Sequence, residues 1–328
     1  MRKIIQLTSA VLLTVLIFNS CTKDKNVSQP YISAQSAIAS SEIYENKIIY
    51  NVVYGNNKNW LGEYEDLDLD VYLPTPNRTQ RKFPLVVYIH GGGFTTGDKA
   101  AGQTQCEYLA SAGFTAVSIN YRTGWSTPAE QSTATYRALQ DAHAALRFLV
   151  DRADNFSIDT SLIFVQGASA GAVISLDMVY LPQDSADVYM RSSSNKLGPL
   201  NTASNDLRNT YTIKGIGAMW GALLSPYLIT RKNAVPTIFY HGQKDNVVPW
   251  DEGNYYNNPI FPVAYGSKSL YDVLISYKVS SVAHIDPDGG HGVYDIYFRQ
   301  SNFVCFVNGI INNKPQRGIY YTEVSNCE

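Results

Sequence analysis

The stretch LIFVQGASAGAVISL, residues 162–176, decides the fold. Leu162 to Val165 form a short apolar run that stops at Gln166, the pattern of a buried strand. From Ser169 onward the residues turn small and then apolar again, which predicts a helix. Between the two lies Gly167-Ala168-Ser169-Ala170-Gly171, a G-x-S-x-G pentapeptide at a strand-to-helix turn. A serine there takes strained backbone angles, and only small residues fit two positions to either side. The turn lifts the hydroxyl clear of the sheet, and the helix N-terminus behind it favours developing negative charge. Glycine, alanine and serine are common in ordinary turns, so the pentapeptide carries weight only in this context. In this context Ser169 is the candidate nucleophile.

A serine hydroxyl needs a base, and the chain has 5 histidines. His143 lies on a helical stripe with Tyr136, Leu139, Leu146 and Val150, which predicts a core or rim residue. His90 and His241 each end a strand before a loop, where positioning suits them better than proton transfer. In a parallel sheet with this serine turn, the acid and then the histidine follow the serine in the chain. That leaves His284, at the end of a strand predicted over Lys278–His284, and His291 in DGGHGVYD (288–295). His291 is favoured, because a glycine-flanked loop can reach over the strand ends; His284 is the fallback. TIFYHGQKDNVVPW (237–250) supplies the acid. Asp245 follows the predicted strand Thr237–His241 by four residues and would hold the imidazole tautomer. Asp251 and Glu252 are alternatives on the same loop.

Upstream, YIHGGGFTTGDKA (88–100) follows another apolar run, FPLVVYIH (83–90). Glycines after a strand often cradle phosphate. Here Gly91 to Gly93 are contiguous and Gly97 precedes Asp98, which fits neither G-x-x-x-x-G-K-[ST] nor G-x-G-x-x-G. The alternative is a loop whose backbone approaches a transient oxyanion.

Around these motifs the chain alternates. IIYNVVYG (48–55) and LDLDVYLP (67–74) read as strands. The second places Leu67, Leu69, Val71 and Leu73 on one face and Asp68, Asp70 and Tyr72 on the other, as in a half-buried antiparallel strand. Helices are predicted at Gln103–Ala112, Tyr136–Asp151, from Ser169, at Ser267–Ile275 and near Val293–Asn312. Strands are predicted at Thr115–Tyr121 and Ile213–Trp220. Repeated βα units after two antiparallel strands give an α/β sheet, mostly parallel. Residues 182–212 are polar and break the rhythm, which predicts an insertion acting as a lid.

The chain has 328 residues, 45% apolar and 16% charged, and a formal charge of −2. That suffices for a substantial core and, without a basic stripe, argues against nucleic-acid binding. The N-terminus predicts export. Arg2 and Lys3 precede an apolar run to Phe18 that is short for a membrane span. FNSC (18–21) resembles a bacterial lipobox, which implies a signal peptide over 1–20, a lipidated Cys21 and anchoring to the cell envelope through a membrane-held N-terminus. Residues 21–41 read as a tether and 42–328 as one catalytic domain. Of the remaining cysteines, Cys305 and Cys327 are the expected disulfide and Cys106 a buried thiol. No spacing suggests a metal, and no cofactor is expected.

Taken together, HGGGF (90–94), GASAG (167–171), HGQKDNVVP (241–249) and GGHG (289–292) resemble the α/β-hydrolase superfamily, in its carboxylesterase and lipase branch. INYRTGW (119–125) and ALQDAHAALRFL (138–149) strengthen the likeness, which runs from about Leu67 to Asn312. It implies a Ser169–Asp245–His291 triad, with Gly92, Gly93 and Ala170 as the oxyanion hole. The acid segment lacks D-P-L-x-D and is closer to feruloyl and acetyl-xylan esterases and to prolyl-oligopeptidase-like peptidases. The residues between Cys21 and Leu67 leave no room for the propeller that such peptidases carry. An ester hydrolase acting on small or polysaccharide-linked esters is the leading expectation. A peptidase and a catalytically silent binding protein are the alternatives. Trp125, Tyr180, Trp220 and Trp250 are candidates to line its pocket.

Overall fold

A computed structural model of the chain describes residues 47–74 and 82–327. The predicted signal peptide, Cys21 and the tether lie outside these residues. The first strands, β1 (Lys47–Lys58) and β2 (Tyr64–Leu73), pair antiparallel. Then come β3 (Phe83–Ile89), α1 (Gln103–Ser111), β4 (Thr115–Ile119), α2 (Gln131–Asp151), β5 (Ile158–Ala168) and α3 (Ala170–Tyr180). Two short helices follow, α4 (Gln183–Tyr189) and α5 (Arg191–Leu197), then β6 (Ile213–Met219), β7 (Ala222–Leu223), β8 (Thr237–Gly242), β9 (Glu252–Asn254) and β10 (Val263–Gly266). The chain closes with α6 (Ser267–Ser276), β11 (Ser281–Asp286), α7 (Ile296–Ile311) and β12 (Arg317–Tyr320).

Among the described residues, nine strands form one sheet in the order β1-β2-β4-β3-β5-β6-β8-β11-β12. From β4 to β12 every pairing is parallel. The residues of β3 explain the layering. Leu85, Val87 and Ile89 pack into one core with α2, α3 and α6, while Val86 and Tyr88 pack into a second with α1 and α7. A strand covered on both faces has no polar side, so its apolar run is continuous.

Three expectations change, and the insertion finds its place on the fold. Asp70 and Tyr72 of β2 are buried, because α1 covers that face; Tyr72 joins the α1 core and Asp70 lies 3.3 Å from Lys99 Nζ. The strand predicted from Lys278 starts at Ser281. Lys278 has φ +63° and its N–H closes the end of α6 on Ile275 O, so it belongs to the turn. The last helix starts at Ile296, where Asp295 accepts from the N–H groups of Tyr297 and Phe298. The insertion 182–212 contains α4 and α5 and runs along α2: Tyr136 Oη and Gln140 Nε2 donate to carbonyls of Gly198 and Pro199, and Arg147 donates to Ala203 O. Among the described residues none of its hydrogen bonds reaches Ser169, His291 or the glycine loop; they run to α2 and to β1, where Asn205 Nδ2 donates to Tyr54 O at 2.9 Å.

The Cys305–Cys327 disulfide forms, and Cys106 is a buried free thiol. A small sheet of β7, β10 and β9 was not expected, nor was β12.

Candidate active site

Ser169 sits between β5 and α3 with φ 55° and ψ −121°, a strained conformation for a residue with a side chain. The glycines beside it are required by contact. A Cβ on Gly167 would lie 2.3 Å from the carbonyl carbon of Gly171, and one on Gly171 only 2.0 Å from Ile89 O. The elbow therefore closes against the end of β3, the strand that delivers the glycine loop. A Cβ on Gly91 would in turn lie 3.3 Å from Ser169 Cβ.

Ser169 Oγ donates to His291 Nε2 at 2.9 Å, and His291 Nδ1 donates to Asp245 Oδ2 at 2.8 Å. The structure thus brings together the three residues picked from the sequence. His291 keeps a quarter of its side-chain surface, whereas Asp245 has none. The loops bearing them are laced together. Lys244 N–H donates to Gly289 O and Gln243 N–H to Asp286 O, each at 2.9 Å. Gly242 permits this approach, since a Cβ there would meet Gly289 O at 2.3 Å.

Asp245 is fully satisfied. Oδ1 accepts from Val247 N–H (2.8 Å) and Val248 N–H (3.0 Å), and Oδ2 faces His241 Nε2 at 3.2 Å as well as His291. Burial alone would raise its pKa, but the His241, His291 and backbone donors together outweigh burial and hold it well below the usual carboxylate range.

The fallback His284 is excluded as a base. It lies inside β11, fully buried, stacked between Tyr240 and Tyr320, with Nε2 on Asn326 Oδ1 at 3.0 Å. Burial lowers its pKa to about 4. His143 is also a core residue, bound to Tyr211 Oη, and its pKa falls to about 3 through burial and the nearby Arg147. Asp251 points elsewhere, accepting from the Ser269 hydroxyl. His90 lies beneath the glycine loop, stacked on Tyr121 at 4.2 Å, with Nδ1 donating to Gly91 O at 2.7 Å.

Gly92 and Gly93 take positive φ, +115° and +62°. The carbonyl of Gly92 is turned back to accept from Thr95 and Thr96 N–H, and that of Gly93 accepts from Trp125 Nε1 at 2.8 Å. Among the described hydrogen bonds, the N–H groups of Gly92 and Gly93 donate to no protein acceptor, and Ala170 N–H lies in the open first turn of α3. Such groups beside a serine–histidine pair can stabilise an oxyanion.

Of the four aromatic candidates, Trp125 holds the glycine loop and Trp220 packs edge-on to His291, with ring centroids 6.1 Å apart. Tyr180 does not line the site; it is fully buried beside Val235. Trp250 is half-buried against the core. Sequence reading missed Tyr256 and Phe261. Phe261 meets Trp125 edge-on, and Tyr256 packs on Phe261 with centroids 4.8 Å apart. A Cβ on Gly93 would lie 3.2 Å from Tyr256 Oη. Tyr256 takes φ +58°, which no local sequence pattern announces.

Comparison with known proteins agrees with this architecture. The solved structure of a thermophilic esterase, Est2 from Thermogutta terrifontis, superposes with TM-score 0.57 at 18% identity, covering 84% of this chain and 94% of that one. A truncated carbohydrate esterase from gut microbiota gives TM-score 0.58 at 17% identity, covering 83% and 99%. The fold is that of the α/β-hydrolases. In sequence, the BD-FAE family model matches residues 69–207, which include the glycine loop and Ser169 but neither Asp245 nor His291. Carboxylesterase 1C of Rattus norvegicus is 30% identical over 151 residues, 45% of this chain and 27% of that protein. Esterase LipI of Mycobacterium tuberculosis is 32% identical over 105 residues, 32% of this chain and 31% of its own length. Neuroligin-like protein glit-1 of Caenorhabditis elegans is 34% identical over 110 residues, 32% of this chain and 15% of that protein. The chain thus spans less than a third of the length of these curated relatives.

Proposed function

We propose that the protein is a serine hydrolase of carboxylic esters. The observation that carries this reading is the unbroken chain Ser169–His291–Asp245, at 2.9 and 2.8 Å, beside unpartnered N–H groups. His291 Nε2 takes the Ser169 proton as Oγ attacks the ester carbonyl. The carbonyl oxygen becomes an oxyanion held by the N–H groups of Ala170, Gly92 and Gly93. Asp245, already ionised, stabilises the imidazolium and keeps the proton on Nδ1. As the tetrahedral intermediate collapses, the alcohol departs with the proton from Nε2 and leaves an acyl-Ser169. Water, deprotonated by His291, then attacks that acyl group and releases the acid.

Short acyl groups on carbohydrate are the proposed substrates. Trp125, Phe261 and Tyr256 form a compact aromatic wall beside the glycine loop, suited to a planar or ring-shaped group. One structural neighbour is itself described as a carbohydrate esterase. The test compares wild type and Ser169→Ala on p-nitrophenyl acetate and on acetylated and feruloylated oligosaccharides. Loss of all turnover, by at least about 10³-fold, is expected from the variant. Turnover by Ser169→Ala equal to that of wild type would refute the mechanism, and activity on p-nitrophenyl acetate alone would refute the substrate class.

A further inference from the structure

His241 has no part in the proton relay, yet it is fully buried against the acid and both its ring nitrogens are engaged. Nε2 lies 3.2 Å from Asp245 Oδ2 and 3.2 Å from Val248 O. Both of those atoms only accept, so Nε2 must carry a proton. In the neutral tautomer this fixes, Nδ1 is a lone pair and accepts from the Ser267 hydroxyl at 2.8 Å. Ser267 is the first residue of α6, and β11 runs alongside with Ile285 paired to His241. One carboxylate oxygen therefore receives two imidazole N–H groups, from His291 and from His241.

We propose that His241 is a positioning residue that anchors Asp245 and limits how strongly its carboxylate supports a protonated His291. This rests on the esterase reading given above. Two donors on one oxygen compete for the same electron density. The His241 N–H draws charge from Oδ2, so the carboxylate stabilises the His291 imidazolium less than a free one would. The Ser267 hydroxyl strengthens the effect, because an imidazole accepting at Nδ1 is a better donor at Nε2. Other charges nearby are committed elsewhere. Lys244 pairs with Asp288 at 2.5 Å, Asp286 accepts from Asp288 N–H, Lys268 pairs with Asp272, and Arg299 stacks over Trp220 at 5.2 Å. Among the described residues none of these hydrogen-bonds to Asp245.

The test measures kcat/KM against pH for wild type, His241→Leu, His241→Gln and Ser267→Ala, and follows the His291 ring through its titration by NMR in the same proteins. In His241→Leu the acid limb and the His291 titration move up by about half a pH unit or more, and kcat falls by about tenfold. Gln, whose amide nitrogen reaches the place of Nε2, restores both. Ser267→Ala moves the limb in the same direction by less, and it decides the matter should His241→Leu fail to fold. Unmoved or downward shifts in folded His241→Leu and Ser267→Ala would overturn the proposal, as would absence of rescue by Gln. If wild type turns over no ester, the esterase reading falls, and the His291 titration still decides the role of His241.

Discussion

Replacing Gly171 by alanine tests the elbow most directly. The added methyl would stand 2.0 Å from Ile89 O, 2.6 Å from Ile89 C and 2.7 Å from His90 O. All three are backbone atoms where β3 runs into the glycine loop, so no rotamer change relieves the clash. Restoring van der Waals distance requires α3 to retreat from β3 by about 1 Å or more, and Ser169 moves with it. Forced overpacking of this kind costs about 1–3 kcal/mol. At about 2–4 °C per kcal/mol for a domain of this size, Tm should fall by about 2–12 °C. Misplacing a nucleophile by about 1 Å costs on the order of 10² in rate. The assay pairs thermal unfolding with ester turnover and with labelling by a serine-directed phosphonate. Gly290→Ala is the control, since a Cβ there meets nothing within 4 Å and should leave Tm within about 1 °C. A Gly171→Ala protein with wild-type Tm and turnover would refute the claim that contact with β3 sets the position of Ser169.

Three further outcomes follow from two buried carboxyl groups and the disulfide. Asp177 is fully buried with Oδ1 unpartnered, and desolvation raises its pKa to about 8. Its folded form binds a proton that the unfolded chain has already lost, so stability falls as pH rises from about 4 to about 8. Asp177→Asn should therefore raise Tm most at pH 8 and hardly at all at pH 4; an equal gain at both would contradict the assignment. Asp245 has the opposite sign. Its depressed folded pKa contributes stability that is complete above about pH 5 and drains away as pH falls through the ordinary carboxylate value near 4 toward the folded one. The Tm difference between wild type and Asp245→Asn should shrink over that interval, and kcat near neutrality should drop by roughly 10³–10⁴. The Cys305–Cys327 bridge spans 22 residues and should contribute about 3 kcal/mol by chain entropy. Cys305→Ser, or reduction of the wild type, should lower Tm by at least about 5 °C, and an unchanged Tm would show that the tail is held without it.

Local patterns made the hydrogen-bonded chain Ser169–His291–Asp245 legible. Ser169 is announced by flanking glycines that the backbone demands, Asp245 by its distance from the end of β8, and His291 by a glycine loop. Each signal lies within a few residues of the group it marks. His241 reads as a positioning residue because it ends a strand, but its partner Ser267 lies 26 positions away and leaves no local trace. Tyr256 and Phe261 were invisible for the same reason, since only tertiary packing brings them to Gly93. The polarity of the insertion has a local cause. Residues 182–212 are polar because many of their side chains and carbonyls bond to α2, as Ser193 does with Thr133 Oγ1 at 3.2 Å. Strand ends slipped where a positive φ or a cap intervened, as at Lys278 and Asp295.

The wall residue and the acid share one strand of hydrogen bonds. Tyr256 N–H donates to Val247 O, and Val247 N–H donates to Asp245 Oδ1, each at 2.8 Å. A mutation that reshapes the wall to admit a bulkier ester pulls on the segment that orients the carboxylate. On the proposed ester-hydrolase reading, substrate range and catalytic alignment are thus not independent traits. Broadening the first should exact a rate penalty unless a second change relieves the 247–256 segment, so evolutionary routes to new substrates should run through paired substitutions there.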